Sequence, residues 1–391
     1  MISLNGKNGT ANIRTSVFDN DTISQVIGIL NSPISKGSKV EIMPDCHAGA
    51  GCVVGTTMTL TEKVCPNIVG VDIGCGMLVA NLCKVDIDFP KFDAVVHNVP
   101  SGFAINTNLS NIDYNKSQAL IEKLFCFKEL RNKDQLIMSL GSLGGGNHFI
   151  ELDKDTDDNI YLVIHSGSRS LGQQVCNFYQ NLAIKKLNEG HLEKVSKDLA
   201  YLTGDSLNAY FHDMELCQQF ASFNRITMAN NILENYFGSQ TNIKIQNHKF
   251  VLYKDNKKYD TVFETIHNYI NFNDRILRKG AVSAHDGEIL IIPINMKDGA
   301  LICKGKGNLD WNQSAPHGAG RLLSRSEAKT LIDLEEYKHQ MQGIYSTTIA
   351  RSTLDESPMA YKPIESIIDN IKDTVEIIKI IKPIYNFKAA E

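Results

Sequence analysis

With 391 residues, 42% hydrophobic and 21% charged, the chain is long enough to bury a large core and is neither disordered nor fibrous in composition. A formal net charge of -4 argues against broad electrostatic attachment to nucleic acid, although a local basic groove is compatible with it. The nine cysteines are scattered with no CxxC pair, which argues against a disulfide framework or a zinc knuckle.

The opening segment shows no signal-peptide pattern, and apolar runs such as 289–294 fall far short of the roughly 20 residues of a membrane span, so a cytoplasmic protein is expected. Short apolar runs at 40–43, 52–57 and 68–71, broken by glycine-bearing turns, predict strands. A helix is expected over 120–130, and strands over 136–140 and 160–165. Between 173 and 237 apolar residues recur at three-to-four spacing (Leu182, Ile184, Leu187; Leu207, Tyr210, Phe211), which predicts a helical insertion or cap. Strands return at 243–253 and 288–294, and 355–381 reads as a helix-rich tail. No fixed-period repeat or flexible linker divides the chain, so one compact α+β domain over 1–391 is expected, with 173–237 as a helical insertion within it.

Chemistry-bearing residues sit in the loops and strand ends of this frame. VDIGCG places Asp72 and Cys75 three apart on a glycine turn, where a carboxylate and a thiolate can converge; a buried structural cysteine is the bland alternative. GGGNHFIE carries His148 behind three glycines, IHSGSR carries His165 at a strand end, and IHNY carries His267. A cysteine and several imidazoles suit zinc, whereas the carboxylate and the anion-binding loop suit manganese or magnesium; donor softness alone names zinc first. Arg169 in SGSR and Arg321 in HGAGR offer planar forks for phosphate. GSLGGGN does not fit a P-loop, and no dinucleotide-binding fingerprint occurs. His317 in SAPHGAGR is able to attack phosphorus if its imidazole is neutral, but lone loop histidines rarely do so.

Taken together and in order, MPDCHAG, GVDIGCGM, GGGNHFIEL, HSGSRSLG, IHNY, RKGAVSAHDGE, HGAGRLLSR, DESPMAYKP and the terminal NFK resemble the RtcB family of RNA ligases across nearly the whole chain. The resemblance implies an RtcB-like α+β domain with mixed sheets around a central cleft. It also implies a GTP- and manganese-dependent ligase that joins RNA 2',3'-cyclic phosphate or 3'-phosphate ends to 5'-hydroxyl ends, in tRNA splicing or RNA repair. Two manganese ions replace zinc in this reading: Cys75 bridges them, with Asp72 and His148 on one and His165 and His267 on the other. His317 takes GMP from GTP and passes it to the RNA 3'-phosphate. Asn147, Arg169 and Arg321 match the family's phosphate contacts; Phe149, Glu151, Tyr361 and Lys388 match its guanine contacts. Asp45 and His47 are expected to be structural or to support the site indirectly. RNA is the implied substrate, an archease-like protein the implied activator, and the chain a monomer or homodimer. The alternatives are a guanylyl-capping enzyme that never seals and a non-catalytic RNA-binding relative. The stretch 294–299 departs from the family's usual Gly/Ser-containing segment, with Ile294 and Asn295 in their place, and is expected to alter contacts to phosphates or the RNA end.

Overall fold

The computed structural model describes residues 1–391 apart from Ala50, Leu192, His248, Ala390 and Glu391. Two large sheets organise it. The first, of six strands, runs in spatial order Ile2–Asn5, Thr10–Ile13, Val40–His47, Val54–Thr59, Ile276–Lys279 and Asn268–Asn271. The second, of seven strands, runs Val262–Ile266, Gly76–Asn81, Ile160–Ser166, Phe149–Lys154, Val375–Lys388, Gly299–Gly305 and Ile289–Asn295. Each neighbouring pair in the second sheet is antiparallel, whereas the first contains a parallel pair between Thr10–Ile13 and Val40–His47. Helices and mixed sheets therefore share one α+β architecture.

Strand alternation decides what each face of the seven-stranded sheet buries. Ile150, Leu152, Leu162 and Ile164 point to one side and pack with Met228, Ile232 and Leu233 of the long helix Gly204–Phe237. Phe149, Tyr161 and Val163 point to the other, against Ile291, Ile302 and Ile381. Each of these aliphatic side chains contributes about 1.5–3 kcal/mol by leaving water. The helix Arg169–Asn188 packs with Gly204–Phe237 and joins the core that also holds Ile13, Ile29 and Ile42. Among the described residues no helix is long and apolar enough to cross a membrane.

Four expected elements differ. The helix expected over 120–130 lies earlier, at Tyr114–Glu122, followed by the short 3-10 turn Phe127–Glu129. The run 68–71 falls in a helical turn, Pro66–Val69, where proline occupies the first turn and Gly70 closes it at φ 96°. The run 136–140 lies largely in the helix Lys133–Met138. Both are apolar runs too short for periodicity to separate strand from helix. The tail holds only one α-helix of eight residues, Ile364–Ile371, and ends in the 14-residue strand Val375–Lys388. There Ile377, Lys379 and Ile381 alternate with Glu376, Ile378 and Ile380, and β-branched side chains favour the pleated conformation. Pro383 is tolerated because the ladder to Phe149–Lys154 is irregular between Pro383 and Tyr385.

Candidate active site

The strands Gly76–Asn81, Phe149–Lys154 and Ile160–Ser166 are neighbours, and their ends bring Cys75, His148 and His165 together. Ligand atoms of these three all lie within 4.8 Å of one another. The Cys75 Sγ is 3.4 Å from His148 Nε2 and 3.2 Å from His165 Nε2. His267, at the end of Val262–Ile266, places its Nε2 3.4 Å from that of His165, and Asp72 Oδ2 stands 3.1 Å from His148 Nε2. All five expected ligands thus meet at one place.

Hydrogen bonds fix which nitrogens are free there. His148 Nδ1 donates to the Leu143 carbonyl at 2.8 Å, and His165 Nδ1 donates to the Asn147 carbonyl at 3.2 Å. Their Nε2 lone pairs therefore point at a sulfur, a carboxylate and each other's neighbours, an assembly of acceptors that a shared cation reconciles. Burial, reinforced by the neighbouring imidazoles, holds His165 and His267 well below the ordinary histidine range, so both are neutral at pH 7. His267 Nδ1 is buried and has no hydrogen-bond partner among the described residues. Burial, then the Asp72 charge, pushes the Cys75 thiol well above its usual value; metal binding would expel that proton. The donor set therefore fits a divalent transition metal.

Support comes from the long helix. Asn224 accepts from the Gly141 and Ser142 amides at 2.7 and 3.1 Å and donates to the Gly167 carbonyl at 3.1 Å. Arg225, fully buried, pairs with Glu264 at 2.7 Å and donates to the carbonyls of Gly74 at 2.9 Å and Ser166 at 2.5 Å. One helical turn thereby ties down the loops bearing Cys75, His148 and His165. Nothing in the helical periodicity of this stretch singles these two residues out.

Beside the metal-ligand cluster lies His317. Its Nδ1 donates to Asp45 Oδ2 at 2.6 Å, and the same oxygen accepts the backbone amides of His317 and Gly318 at 3.1 and 3.2 Å. Asp45 thus does more than shape a loop: with Nδ1 as the donor to it, the His317 lone pair is on Nε2. Lys362 holds the Asp45 segment by donating to the carbonyls of Pro44 and Cys46 at 3.1 and 3.4 Å. Gly320, at φ 76°, comes so close that an added Cβ would sit 2.4 Å from the Asp45 carbonyl oxygen, so this position requires glycine.

His317 lines two hollows at once. A cleft of 990 Å³ is lined by Asn147, Phe149, Glu151, Arg321, Tyr361 and Lys388 among others, and a 400 Å³ hollow by Asp72, Cys75 and His267. Within the cleft, Lys388 Nζ lies 3.1 Å from Glu356 and donates to the Asn147 carbonyl at 3.2 Å, its ammonium 4.8 Å from the Phe149 ring centroid. Tyr361 donates to Glu356 at 2.6 Å. Arg321 reaches Glu356 at 3.3 Å and the Leu323 carbonyl at 2.9 Å. Glu356 is the hub of this cluster, and the sequence reading quoted its motif without singling it out. Burial alone would raise its carboxyl; Lys388, Arg325, the Tyr361 hydroxyl and Arg321 outweigh burial and hold it below the usual range.

One expected phosphate contact, Arg169, stands differently. Arg169 does not line the cleft: it donates to Ser142 Oγ at 3.0 Å and to the Gly102 carbonyl at 2.7 Å, bracing the glycine loop from behind. In the divergent 294–299 stretch, Asn295 lines the cleft but its side chain closes the turn, accepting the Lys297 and Asp298 amides at 2.9 Å each and donating to the Asp298 carboxylate at 2.8 Å.

Comparison with known proteins bears on what this arrangement does. The family model described as tRNA-splicing ligase RtcB matches residues 25–389. The RNA-splicing ligase RtcB of Escherichia coli K12 is 32% identical over 368 residues, covering 87% of this chain and 87% of that protein. The tRNA-splicing ligase RtcB of Methanococcus maripaludis is 26% identical over 450 residues, covering 94% and 91%.

Proposed function

Because the chain belongs to the RtcB family, we propose that it is an RNA ligase using GTP and manganese to join 3'-phosphate or 2',3'-cyclic phosphate ends to 5'-hydroxyl ends. The observation that carries this reading is His317, held through Nδ1 by Asp45 and standing between the cleft and the metal-ligand cluster. Asp72, Cys75 and His148 would hold one ion and Cys75, His165 and His267 a second; bound metal would neutralise phosphate charge in an in-line displacement.

His317 Nε2 attacks the α-phosphorus of GTP, the bond to the bridging oxygen breaks, and pyrophosphate leaves. Asp45 offsets the positive charge that the imidazole acquires. An oxygen of the RNA 3'-phosphate then attacks the GMP phosphorus, freeing His317 and giving an RNA-3'pp5'G end. The 5'-hydroxyl attacks the RNA phosphorus of that end, loses its proton, and releases GMP as the phosphodiester forms. A cyclic phosphate first adds water to become a 3'-monophosphate. Phe149 supplies a stacking face; Glu151 accepts from the guanine N1 and N2 hydrogens, and Lys388 donates to O6, a pattern that rejects adenine. Asn147 and Arg321 face the phosphates, with Arg169 shaping the loop that presents Asn147.

Incubation of a 3'-phosphate RNA with a 5'-hydroxyl RNA, GTP and Mn2+ is expected to yield a longer product. Accumulation of guanylylated 3'-ends with no joined product would replace ligation by end-capping.

A further inference from the structure

Behind the proposed base contact lies a buried carboxyl that the mechanism does not use. Asp153 follows Glu151 by two residues in the strand Phe149–Lys154, so both side chains lie on the face shared by Phe149. Asp153 is fully buried and is the next side chain along that face from the buried Glu151 carboxyl. Neither of its oxygens has a hydrogen-bond partner among the described residues. Opposite it, Tyr161 turns its hydroxyl to Asp155 at 2.9 Å, and Lys379 is taken by the same carboxylate at 2.8 Å. Across the ladder its partner is Pro383, and its strand face is the one on which Phe149 joins the apolar cluster of Val163, Ile291 and Ile302.

Glu151 has what Asp153 lacks. Asn386 donates to its Oε2, and the Lys388 charge acts on it. Two buried carboxylates side by side on one strand face cannot both ionise cheaply, and the proton belongs on the one without donors. Burial first, then the Glu151 charge, pushes the Asp153 carboxyl well above its ordinary value.

We propose that Asp153 is a neutral hydrogen-bond donor to Glu151 and acts as a positioning residue, holding the Glu151 carboxylate toward a ligand that presents adjacent ring N–H donors. Its nucleobase half rests on the GTP reading above. The protonated carboxyl acts as a fixed donor, so Glu151 meets the base already oriented and anionic. The acceptor edge is then specified by Asp153 as much as by Glu151 itself.

Infrared spectra of the metal-free, nucleotide-free protein at neutral pH test the proton directly. A protonated-carboxyl C=O band that shifts in D2O is expected in the wild type and absent from Asp153→Asn; superimposable spectra in that region overturn the proposal. Nucleotide labelling tests the positioning. Asp153→Val, suited to the apolar surround, is expected to raise the KM for GTP and lower the preference for GTP over ATP by roughly ten- to hundredfold, with kcat little changed. Asp153→Asn, whose amide still donates, is expected to keep the wild-type preference. An unchanged preference in Asp153→Val refutes the positioning role. A wild type that takes no label from GTP refutes the nucleotide reading and the nucleobase half with it, while the infrared band still decides where the proton is.

Discussion

The two sides of His317 are built on opposite electrostatic principles. On one side Cys75, His148, His165 and His267 crowd together as neutral or electron-rich groups with no cation of the protein's own among the contacts they make. On the other, Arg321, Arg325 and Lys388 converge on Glu356, so that carboxylate is already paired with cations before any ligand arrives. The first side is held rigid by uncharged backbone bonds and by Asn224 and Arg225, and it gains from an added cation. The second holds itself, and on the proposed reading offers a nucleotide a preformed edge.

The largest effect expected from breaking this contrast lies at its support. Arg225→Met leaves Glu264 buried without its partner and frees the Gly74 and Ser166 carbonyls; a loss of about 3–5 kcal/mol is expected in denaturant unfolding. A change below about 1 kcal/mol would mean that the helix does not carry the ligand loops. Next, Cys75→Ala is expected to abolish the thiolate-to-metal absorption band on titration with Co2+ and to weaken metal binding at least about a hundredfold. An unchanged band would remove Cys75 from the ligand set.

On the charged side the test is pH. Glu356 has a lowered carboxyl, so the unfolded chain takes up the proton first as acid is added. Its stabilisation is full above the ordinary glutamate range and is lost as pH falls through the lowered folded value, at no more than about 1.4 kcal/mol per pH unit. The stability gap between wild type and Glu356→Gln should therefore narrow in acid; a gap constant from pH 7 to 3 would show that Glu356 is not held by its cations. The smallest effect is at the divergent turn. Asn295→Ala removes the acceptor for two amides and should cost about 1 kcal/mol, measured by thermal unfolding.

The same contrast governs how much the sequence revealed. The Cys75 side was legible in part through compact, glycine-bearing motifs, with Asp72 and Cys75 on one turn and His148 behind three glycines, whereas the grouping of all five residues, including His267 in the glycine-free IHNY, came only with the family resemblance. The charged side was legible only in part. Arg321, Tyr361 and Lys388 were named, but their hub Glu356 was not, since a glutamate in DESPMAYKP gains meaning only when two distant segments, bearing Arg321 with Arg325 and Lys388, fold against it. Asp45 was expected to be indirect, and it touches the nucleophile at 2.6 Å. Its role is set by a contact spanning 272 residues, which no spacing rule reports. The α+β architecture was read correctly from alternating apolar runs, while 68–71, 136–140 and the final strand were misread where a few apolar residues fit two periods.

The central claim is that His317 is the nucleophile joining the two sides. Protein incubated with α-labelled GTP and Mn2+, then denatured, is expected to carry an acid-labile, base-stable label in the wild type and none in His317→Ala. Label retained by His317→Ala would contradict the account.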